Sequence, residues 1–321
     1  VSGHIAFEQP DDDALADVTV TLTANNLAPG SHGLHVHQYG DVRVTTSLAT
    51  LGAHFVPQCA YRRDRRQLQQ LPDTNISDGN DCRLDQLHGL PPSAQRQPGD
   101  MGNITVNATG GVETSLVLGQ RKLSLSDGLR SIVGRAVVIH SLPDDGSQPF
   151  GNAGPPHAFG VIGIARPAAG PANGARAPNV PPVDKVICDF QPAAAGRPRT
   201  INGTVLLTLQ VPYRPSVVKM QARLQGVDRS SEHSFHFHEW GDPATVPSLP
   251  AMAPQLGAIY HSNAIEVGSI RVDERGLALY EHEFAADSLE EHVGRALTIH
   301  AGPGSAAPTV AVAVCGIANP S

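Results

Sequence analysis

The chain has 321 residues, a formal net charge of -7, 32 glycines, 27 prolines and only 4% aromatic residues. The mildly acidic balance argues against a nucleic-acid-binding protein, which normally carries a basic patch, and no apolar run is long enough to span a bilayer. The length suggests two domains of ordinary size, and the composition indicates many loops and few long helices.

Short alternating segments predict strands along the whole chain. The first half contains "VSGHIAF" at 1, "DVTVTLTANNL" at 17 and "GRAVVIHSL" at 134. Such segments, separated by Gly, Pro, Asn and Asp, predict an all-β protein built as a sandwich or barrel. The Pro/Ala/Gly stretch 168–183 has no apolar period and predicts an extended linker. We therefore predict domains at 1–167 and 184–321.

The second half repeats the motifs of the first in the same order. "HGLHVHQYGD" at 32 matches "HSFHFHEWGD" at 233, and "GRAVVIH" at 134 matches "GRALTIH" at 294. The offset between matched motifs falls from 205 at "LGA" to 166 at "GNITV", so 39 residues are missing from the second half. The counterpart of this gap is 56–100, which we interpret as a surface loop of the first half.

Histidines recur at strand positions in both halves. Alternate residues of a strand share a face, so His35 and His37 point together, as do His236 and His238. Each half has a later strand that ends in histidine, at His140 and His300, and the first half adds His54 in "LGAHF". Imidazole groups without thiolates suit copper or zinc. The pattern predicts one metal site in each half.

The cysteines and glycan acceptor motifs indicate a secreted, extracellular protein. The four cysteines predict two disulfides in an oxidising compartment, although the sequence alone allows three pairings of Cys59, Cys82, Cys188 and Cys315. Four Asn-x-Ser/Thr motifs predict glycosylation at Asn75, Asn103, Asn107 and Asn202.

Several motifs in order resemble the copper/zinc superoxide dismutase family, twice over. They are "HGLHVHQYGD", "GAHFVP", "GDMGNITV", "GRAVVIHSLPDD" and "GNAGPPHAFGVIGIA". The resemblance implies two Greek-key β-sandwich domains. It also implies copper ligands in the first half at His35, His37, His54 and His140, with His54 bridging to a zinc site.

The resemblance also assigns the residues around the first copper site. His88 and Asp100 match zinc ligands, but the third zinc histidine falls on Gln97, and an amide oxygen is a poor zinc ligand. The zinc site therefore resembles a damaged one, and we expect it to be empty or weak. Asp144 matches the carboxylate that links the two metal sites. We assign catalytic roles to His54 and Asp144, and a framework role to His32 through a hydrogen bond to the backbone.

In the second half, the resemblance implies copper ligands at His236, His238 and His300. Ile259 stands where the first half has His54, so we expect His261 to supply the fourth nitrogen. The deleted loop is the zinc loop, so no zinc site is expected there. We expect His282 and His292, which match no motif, to lie on the surface. The resemblance also makes the strands of Cys188 and Cys315 neighbours, which suits a bridge; we expect Cys59 and Cys82 to pair within the first loop.

Two functions remain open at this point. The first is an extracellular copper-dependent superoxide dismutase that converts superoxide to oxygen and hydrogen peroxide. The second is a catalytically weak or inactive metal-binding or structural extracellular protein. The family's active-site arginine falls on Pro156, with His157 as a partial substitute. The first half also lacks the family's first strand, so we predict an open sheet edge. We expect a strand from a neighbouring molecule or from residues lost upstream to fill this edge, and self-assembly through it would follow in the first case.

Overall fold

The computed structural model describes most of the chain. The described residues are 1–10, 13, 16–43, 49–56, 87–119, 123–166, 180, 182–190, 201–210, 217–228, 233–242, 256–260, 267–270, 272–285, 288–302 and 307–319. Most of the predicted linker lies outside this set. So do four residues with predicted roles: Cys59, Cys82, Asn75 and His261.

The chain divides into two compact units. Unit 1 comprises Val1–Gln38, Val44–Gly160 and Asn179–Pro181, and unit 2 comprises Tyr39–Arg43, Val161–Pro178 and Pro182–Ser321. Two stretches of the first half, 39–43 and 161–178, therefore group with unit 2. The domain boundaries at 167 and 184 remain predictions.

Unit 1 contains two antiparallel sheets. A three-stranded sheet has the order β1-β2-β5, and a four-stranded sheet has the order β4-β3-β6-β7. The strands are β1 (Ser2–Glu8), β2 (Val18–Asn25), β3 (Gly30–Val36), β4 (Asp100–Val106), β5 (Val112–Leu118), β6 (Ala136–His140) and β7 (Pro156–Val161).

The burial pattern explains why these segments form strands. Along β2 the apolar residues Val18, Val20 and Leu22 are buried, while the threonines between them are more exposed. This period of two is that of a strand with one face on the core. By contrast, every residue of β6 is buried. Both faces of that strand are therefore covered, and the histidine at its end, His140, is buried.

Unit 2 forms one continuous eight-stranded sheet with the order β12-β11-β14-β15-β8-β9-β10-β13. A 3-10 turn (Glu290–His292) precedes β14. The strands are β8 (Lys185–Phe190), β9 (Asn202–Gln210), β10 (Val217–Gln225), β11 (His233–His238), β12 (Val267–Ile270), β13 (Leu277–Ala285), β14 (Ala296–His300) and β15 (Thr309–Ile317). The prediction of an all-β fold is confirmed.

A disulfide joins the last strand of unit 2 to its first. Cys188 on β8 and Cys315 on β15 are paired directly across the two strands, and their sulfurs are bonded. Both residues are fully buried. The structure therefore selects the Cys188–Cys315 pairing among those that the sequence allowed.

The two units differ at one sheet edge. In unit 2, β9 pairs with β10 on one side and with β8 on the other. In unit 1, β1 pairs with β2 on one side. No strand of the described residues pairs with its other side, so β1 is an edge strand. Addition of a strand from another molecule at this edge stays a prediction.

Among the described residues, no helix has the length and apolar character that crossing a membrane requires.

Candidate metal centre

Four histidines of unit 1 converge from three parts of the chain. His35 lies in β3 and His37 directly follows that strand, while His140 ends the neighbouring strand β6. His54 is brought in by a single antiparallel bridge to His37. All four side chains are buried, with at most 4% of their surface exposed. Strand alternation and one bridge therefore place four imidazoles at one point.

The distances between these imidazoles suit one shared ion. One ligand nitrogen from each of His35, His37, His54 and His140 can be chosen so that all lie within 4.8 Å of one another. The ring centres of His35 and His54 are 4.0 Å apart, and the Nε2 atoms of His37 and His140 are 3.4 Å apart. A metal ion accepts lone pairs from several nitrogens at this spacing.

Outer hydrogen bonds fix which nitrogen of each ring carries the lone pair. His37 Nδ1–H donates to Gly52 O at 2.9 Å, and His140 Nδ1–H donates to Gly154 O at 2.8 Å. A carbonyl can only accept, so both rings present the Nε2 lone pair to the cluster. His35 has the opposite arrangement, because its Nε2 faces Asp144 Oδ2 at 2.8 Å.

The remaining nitrogen of His35 tests whether the cluster fits a metal ion. His35 Nδ1 is buried and has no hydrogen-bond partner in the structure. A buried polar atom without a partner costs about 1–3 kcal/mol. A ligated metal ion removes this cost, so the residues present fit a metal ion of the copper or zinc type.

Burial favours the neutral form of three of these imidazoles, those of His35, His37 and His140. It lowers the pKa of His37 well below the usual value, with the nearby His54 adding to the effect. Burial, together with the nearby His35, lowers the pKa of His140 to about 4. It also lowers the pKa of His35, although the hydrogen bond to Asp144 opposes that shift. Neutral imidazole is the form that binds metals, so the cluster is ready to bind at pH 7.

A second, carboxylate-rich group adjoins the four histidines. His88 lies between two buried carboxylates, with Nε2 2.8 Å from Asp144 Oδ1 and Nδ1 2.9 Å from Asp100 Oδ2. His54 Nδ1 lies 2.8 Å from Asp100 Oδ1, so Asp100 contacts both histidines. The Nδ1 contact of His88 has an ion-pair distance but is not aligned as a hydrogen bond. The predicted residues of the damaged zinc site thus lie together, beside the buried Gln97.

The electrostatics of this group favour a proton on His88. Burial opposes ionisation of Asp144, but hydrogen bonds from His35, His88 and Gly146 N–H hold its pKa below the usual value. Burial alone would lower the pKa of His88, yet its contacts with Asp100 and Asp144 raise it to about 9. A proton on His88 neutralises part of the charge that a zinc ion would otherwise balance.

We predict that His88 of the metal-free protein titrates with a midpoint near pH 9. Its folded-state pKa is raised, so its contribution to stability is complete below about pH 6.5 and is lost as the pH rises through about 9. NMR titration of the histidine ring carbons measures this midpoint, and His88→Asn identifies the resonance by its disappearance. A midpoint below pH 7 would contradict the contacts of His88 with Asp100 and Asp144.

Two residues that the sequence analysis did not assign to the site accommodate Asp144: Asn103 holds it in place, and Gly151 leaves room for its side chain. Asn103 Nδ2–H donates to Asp144 O at 2.8 Å, and Asn103 Oδ1 accepts from Asp144 N–H at 2.7 Å. Gly151 has a φ of +67°, and a Cβ there would lie 2.5 Å from His88 Nε2 and collide with Asp144 Oδ1. Asn103 therefore has a structural task in addition to its predicted glycosylation, which stays untested.

The framework residue His32 contacts the backbone, as the sequence analysis expected. His32 places Nδ1 2.7 Å from His140 O and Nε2 2.8 Å from Ala28 O, so its ring contacts the backbone at both nitrogens. The Arg135 guanidinium packs 3.7 Å from the centre of the Phe55 ring, and Arg295 packs 3.6 Å from that of Tyr260. Both arginines are buried, and neither is a substitute for an exposed anion-binding arginine.

An open cavity leads to the four-histidine cluster. Its volume is about 490 Å³, and it is lined by His37, His54, His140 and mostly small or apolar residues such as Ala53, Pro149 and Phe150. The lining residues that the structure describes include no lysine or arginine. His157, the expected partial substitute for the family's arginine, stacks on His32 instead and is not among these lining residues.

Unit 2 brings three of its four predicted ligands near one another. The ring centres of His236 and His300 are 5.0 Å apart, and those of His238 and His300 are 6.4 Å apart. Within the described residues, the groups whose ligand atoms all lie within 4.8 Å belong to unit 1. Ile259 bridges His238 as His54 bridges His37, so it occupies the position of the fourth ligand. Burial lowers the pKa of His238 to about 4.

Of the two histidines expected on the surface, one is buried. His282 is exposed on β13, but the prediction for His292 is wrong, since only 1% of its surface is exposed. Its ring packs against Phe237 with 4.8 Å between ring centres. Burial and the nearby Arg295 lower its pKa to about 4. His292 is therefore a neutral core residue.

Comparison with protein families matches this chain to one of them. The family model for copper/zinc superoxide dismutase matches residues 1–162. The match covers the strands of unit 1 and includes the seven clustered residues: His35, His37, His54, His88, Asp100, His140 and Asp144.

Proposed function

Because the chain belongs to the copper/zinc superoxide dismutase family, we propose that it is a copper-dependent superoxide dismutase whose reactive site is in unit 1. The observation that carries the proposal is the cluster of four buried histidines with ligand nitrogens within 4.8 Å. The fixed ring orientations, and the lowered pKa values of His35, His37 and His140, support copper binding. The substrate is superoxide, and the products are oxygen and hydrogen peroxide.

The residues of the cluster divide into holding and orienting groups. His35 Nδ1 and the Nε2 atoms of His37, His54 and His140 would hold copper. Bound copper would supply the one-electron redox cycle in which one superoxide is oxidised to oxygen and the next is reduced to peroxide. Asp144 orients His35 through its 2.8 Å contact and links that ring to His88.

His54 connects the copper-holding cluster to Asp100 and to the cavity. Its Nδ1–H donates to Asp100 Oδ1, which leaves the Nε2 lone pair facing the other three histidines. The ring also lines the cavity, and Phe150 packs edge-on against it with 5.4 Å between ring centres. The ring is therefore within reach of water in the cavity, while Phe150 covers its flank.

We further propose that unit 2 is a second, tandem copy of the fold with a copper site of its own at His236, His238 and His300. The strand order β12-β11-β14-β15 of unit 2 parallels β4-β3-β6-β7 of unit 1, which supports this relation. In this proposal the unit 2 site binds no zinc, and His88 and Asp100 bind zinc weakly or not at all. The buried disulfide is compatible with the proposed extracellular location.

A second candidate function rests on the chemistry of the cavity. Rapid capture of a small anion benefits from positive charge near the site, but the described lining residues include no lysine or arginine. A protein of this kind would bind copper tightly and turn over superoxide slowly. It would then act as a metal-binding or structural member of the family.

Metal analysis combined with superoxide decay tests these functions. The purified protein, loaded with copper and freed of excess metal, is compared with His140→Ala at equal protein concentration. The dismutase proposal predicts superoxide decay far above that of the variant and abolished by a copper chelator. Bound copper with decay equal to that of the variant would support the second function. Failure of unit 1 to bind copper would contradict both.

A further inference from the structure

Two of the predicted glycan acceptors lie close together at the end of one strand of unit 1. Asn103 is in β4, and Asn107 directly follows that strand. Both residues are exposed to solvent, so accessibility alone does not tell which of them carries an oligosaccharide. The hydrogen bonds of the two side-chain amides do distinguish them, because a glycan is attached to the amide nitrogen, Nδ2.

Both atoms of the Asn103 amide contact the backbone of one residue. Asn103 Oδ1 accepts from Asp144 N–H at 2.7 Å, and Asn103 Nδ2–H donates to Asp144 O at 2.8 Å. A backbone N–H only donates and a carbonyl only accepts, so these contacts fix which end of the amide is the nitrogen. Since the two partners belong to the same residue, the hydrogen that Nδ2 donates is the one on the Oδ1 side of the amide.

A glycan at Asn103 would remove this hydrogen. Asn-linked glycosylation forms a bond between Nδ2 and the anomeric carbon of an oligosaccharide, breaks the bond from that carbon to a lipid-linked diphosphate, and releases one Nδ2 proton. The product is a secondary amide, which prefers the trans arrangement of a peptide bond. In that arrangement the sugar lies on the oxygen side, where Asp144 O now accepts the hydrogen bond, and the remaining N–H points away.

The contact that would be lost supports the metal centre. Asp144 Oδ2 lies 2.8 Å from His35 Nε2, and Asp144 Oδ1 lies 2.8 Å from His88 Nε2. Asn103 holds the backbone of the same aspartate. A sugar between Asn103 and Asp144 would move this carboxylate away from both rings. The hydrogen bonds of Asn103 and a glycan on its nitrogen are therefore mutually exclusive.

Asn107 has the opposite arrangement. Its Oδ1 accepts from Thr109 N–H at 2.9 Å, from Thr109 Oγ1–H at 2.7 Å and from Gly111 N–H at 3.0 Å. Within the described part of the chain, its Nδ2 takes part in no hydrogen bond. A Cβ at position 111 would lie 3.2 Å from this nitrogen, so the glycine leaves space beside it. A sugar on Nδ2 replaces none of the three contacts, because Oδ1 makes them all.

We propose that Asn107 carries an Asn-linked oligosaccharide and that Asn103 stays unmodified, because the Asn103 amide is a structural part of the metal centre. Asn103 is a positioning residue for Asp144 and not a glycan acceptor. The inference rests on the proposed extracellular location, since glycan transfer takes place in the secretory pathway. It does not depend on superoxide turnover, so it holds or fails separately from the dismutase activity.

Site-resolved mass spectrometry tests this assignment. The full chain is secreted from a eukaryotic host, and its glycans are removed enzymatically in heavy-oxygen water, which converts each glycosylated Asn into labelled Asp. Fragmentation of the peptide that contains both residues distinguishes Asn103 from Asn107. We expect label at Asn107 and none at Asn103. Label at Asn103, or no label at Asn107, would overturn the proposal.

A variant excludes competition between the two acceptors as the cause of the pattern. Thr109→Ala removes the acceptor motif of Asn107 and leaves that of Asn103 complete. The secreted variant should carry no glycan at either residue, whereas label at Asn103 would overturn the proposal. Thr109→Ser, which keeps both the motif and the hydroxyl, is the matched control and should retain the label at Asn107.

A substitution at Asn103 tests its positioning role in the absence of glycans. In protein from a bacterial host, Asn103→Asp keeps Oδ1 but replaces the donating nitrogen with an oxygen that faces Asp144 O. We expect about 10–100-fold weaker copper binding, as for other residues that orient a metal ligand. Asn107→Asp is the matched control and should bind copper as tightly as the natural sequence. Equal copper affinity of the two variants would overturn the positioning role.

The glycan assignment stays testable if the substitution gives no result. If Asn103→Asp fails to fold, the label pattern of the natural sequence and of Thr109→Ala still decides it. If the natural protein binds no copper, the proposed function is contradicted, while label at Asn107 alone still supports the assignment of the glycan.

Discussion

Alanine at position 140 is expected to lower the copper affinity of unit 1 by more than about 100-fold and to abolish its superoxide turnover. The reason is geometric: His140 Nε2 lies 3.4 Å from His37 Nε2, and the two lone pairs face one point. Loss of a residue that only orients a metal ligand typically costs about 10–100-fold in affinity or activity. Loss of a ligand should cost more.

A graded series makes this prediction specific. Asp144→Asn keeps the shape of a residue that contacts His35 and His88 but removes its charge, so we expect a 10–100-fold loss in affinity. His282→Ala, which changes an exposed histidine on β13, is the matched control and should change nothing. Competition with a copper chelator measures all three affinities in the full chain. Equal affinity in His140→Ala and His282→Ala would contradict the four-histidine site.

Removal of the Cys188–Cys315 disulfide is expected to lower the free energy of unfolding of unit 2 by about 2–5 kcal/mol. The bond closes a loop with a sequence separation of 127, and a cross-link over a loop of this size removes much of the entropy of the unfolded chain. It also connects two strands whose residues pair directly. Both cysteines are buried. Replacing both, with Cys188→Ala and Cys315→Ala, leaves no free thiol in their place.

The single tryptophan gives a local readout for this experiment. Trp240 lies in unit 2 and is 5% exposed, so its fluorescence follows the unfolding of that unit in urea. The double variant should show a lower midpoint than the natural protein. Thiol-treated natural protein should shift in the same direction. A shift of less than about 1 kcal/mol would mean that strand pairing, rather than the cross-link, stabilises this edge.

The sequence predicted the all-β fold because both signals that it used are local. Alternation such as that of Val18, Val20 and Leu22 reflects a strand with one buried face. The spacing of His35 and His37 likewise specifies a shared face before any tertiary contact is known. The family resemblance then related these rings to His54 and His140, which local patterns alone cannot bring together.

Residues whose roles depend on tertiary contacts were harder to predict. Asn103 matched a glycosylation motif, yet its side chain also anchors Asp144 across 41 residues. His292 matched no motif and was expected at the surface, but it packs against Phe237 in the core. Periodicity does not reveal which residues a loop or neighbouring strand will cover.

The most direct test of the central claim is a crystal structure of the copper-loaded protein with anomalous diffraction at the copper edge. We predict a peak in unit 1 at bonding distance from four nitrogens, His35 Nδ1 and the Nε2 atoms of His37, His54 and His140. A copper-loaded crystal with no peak at that point, or with copper held by other residues of unit 1, would contradict the account.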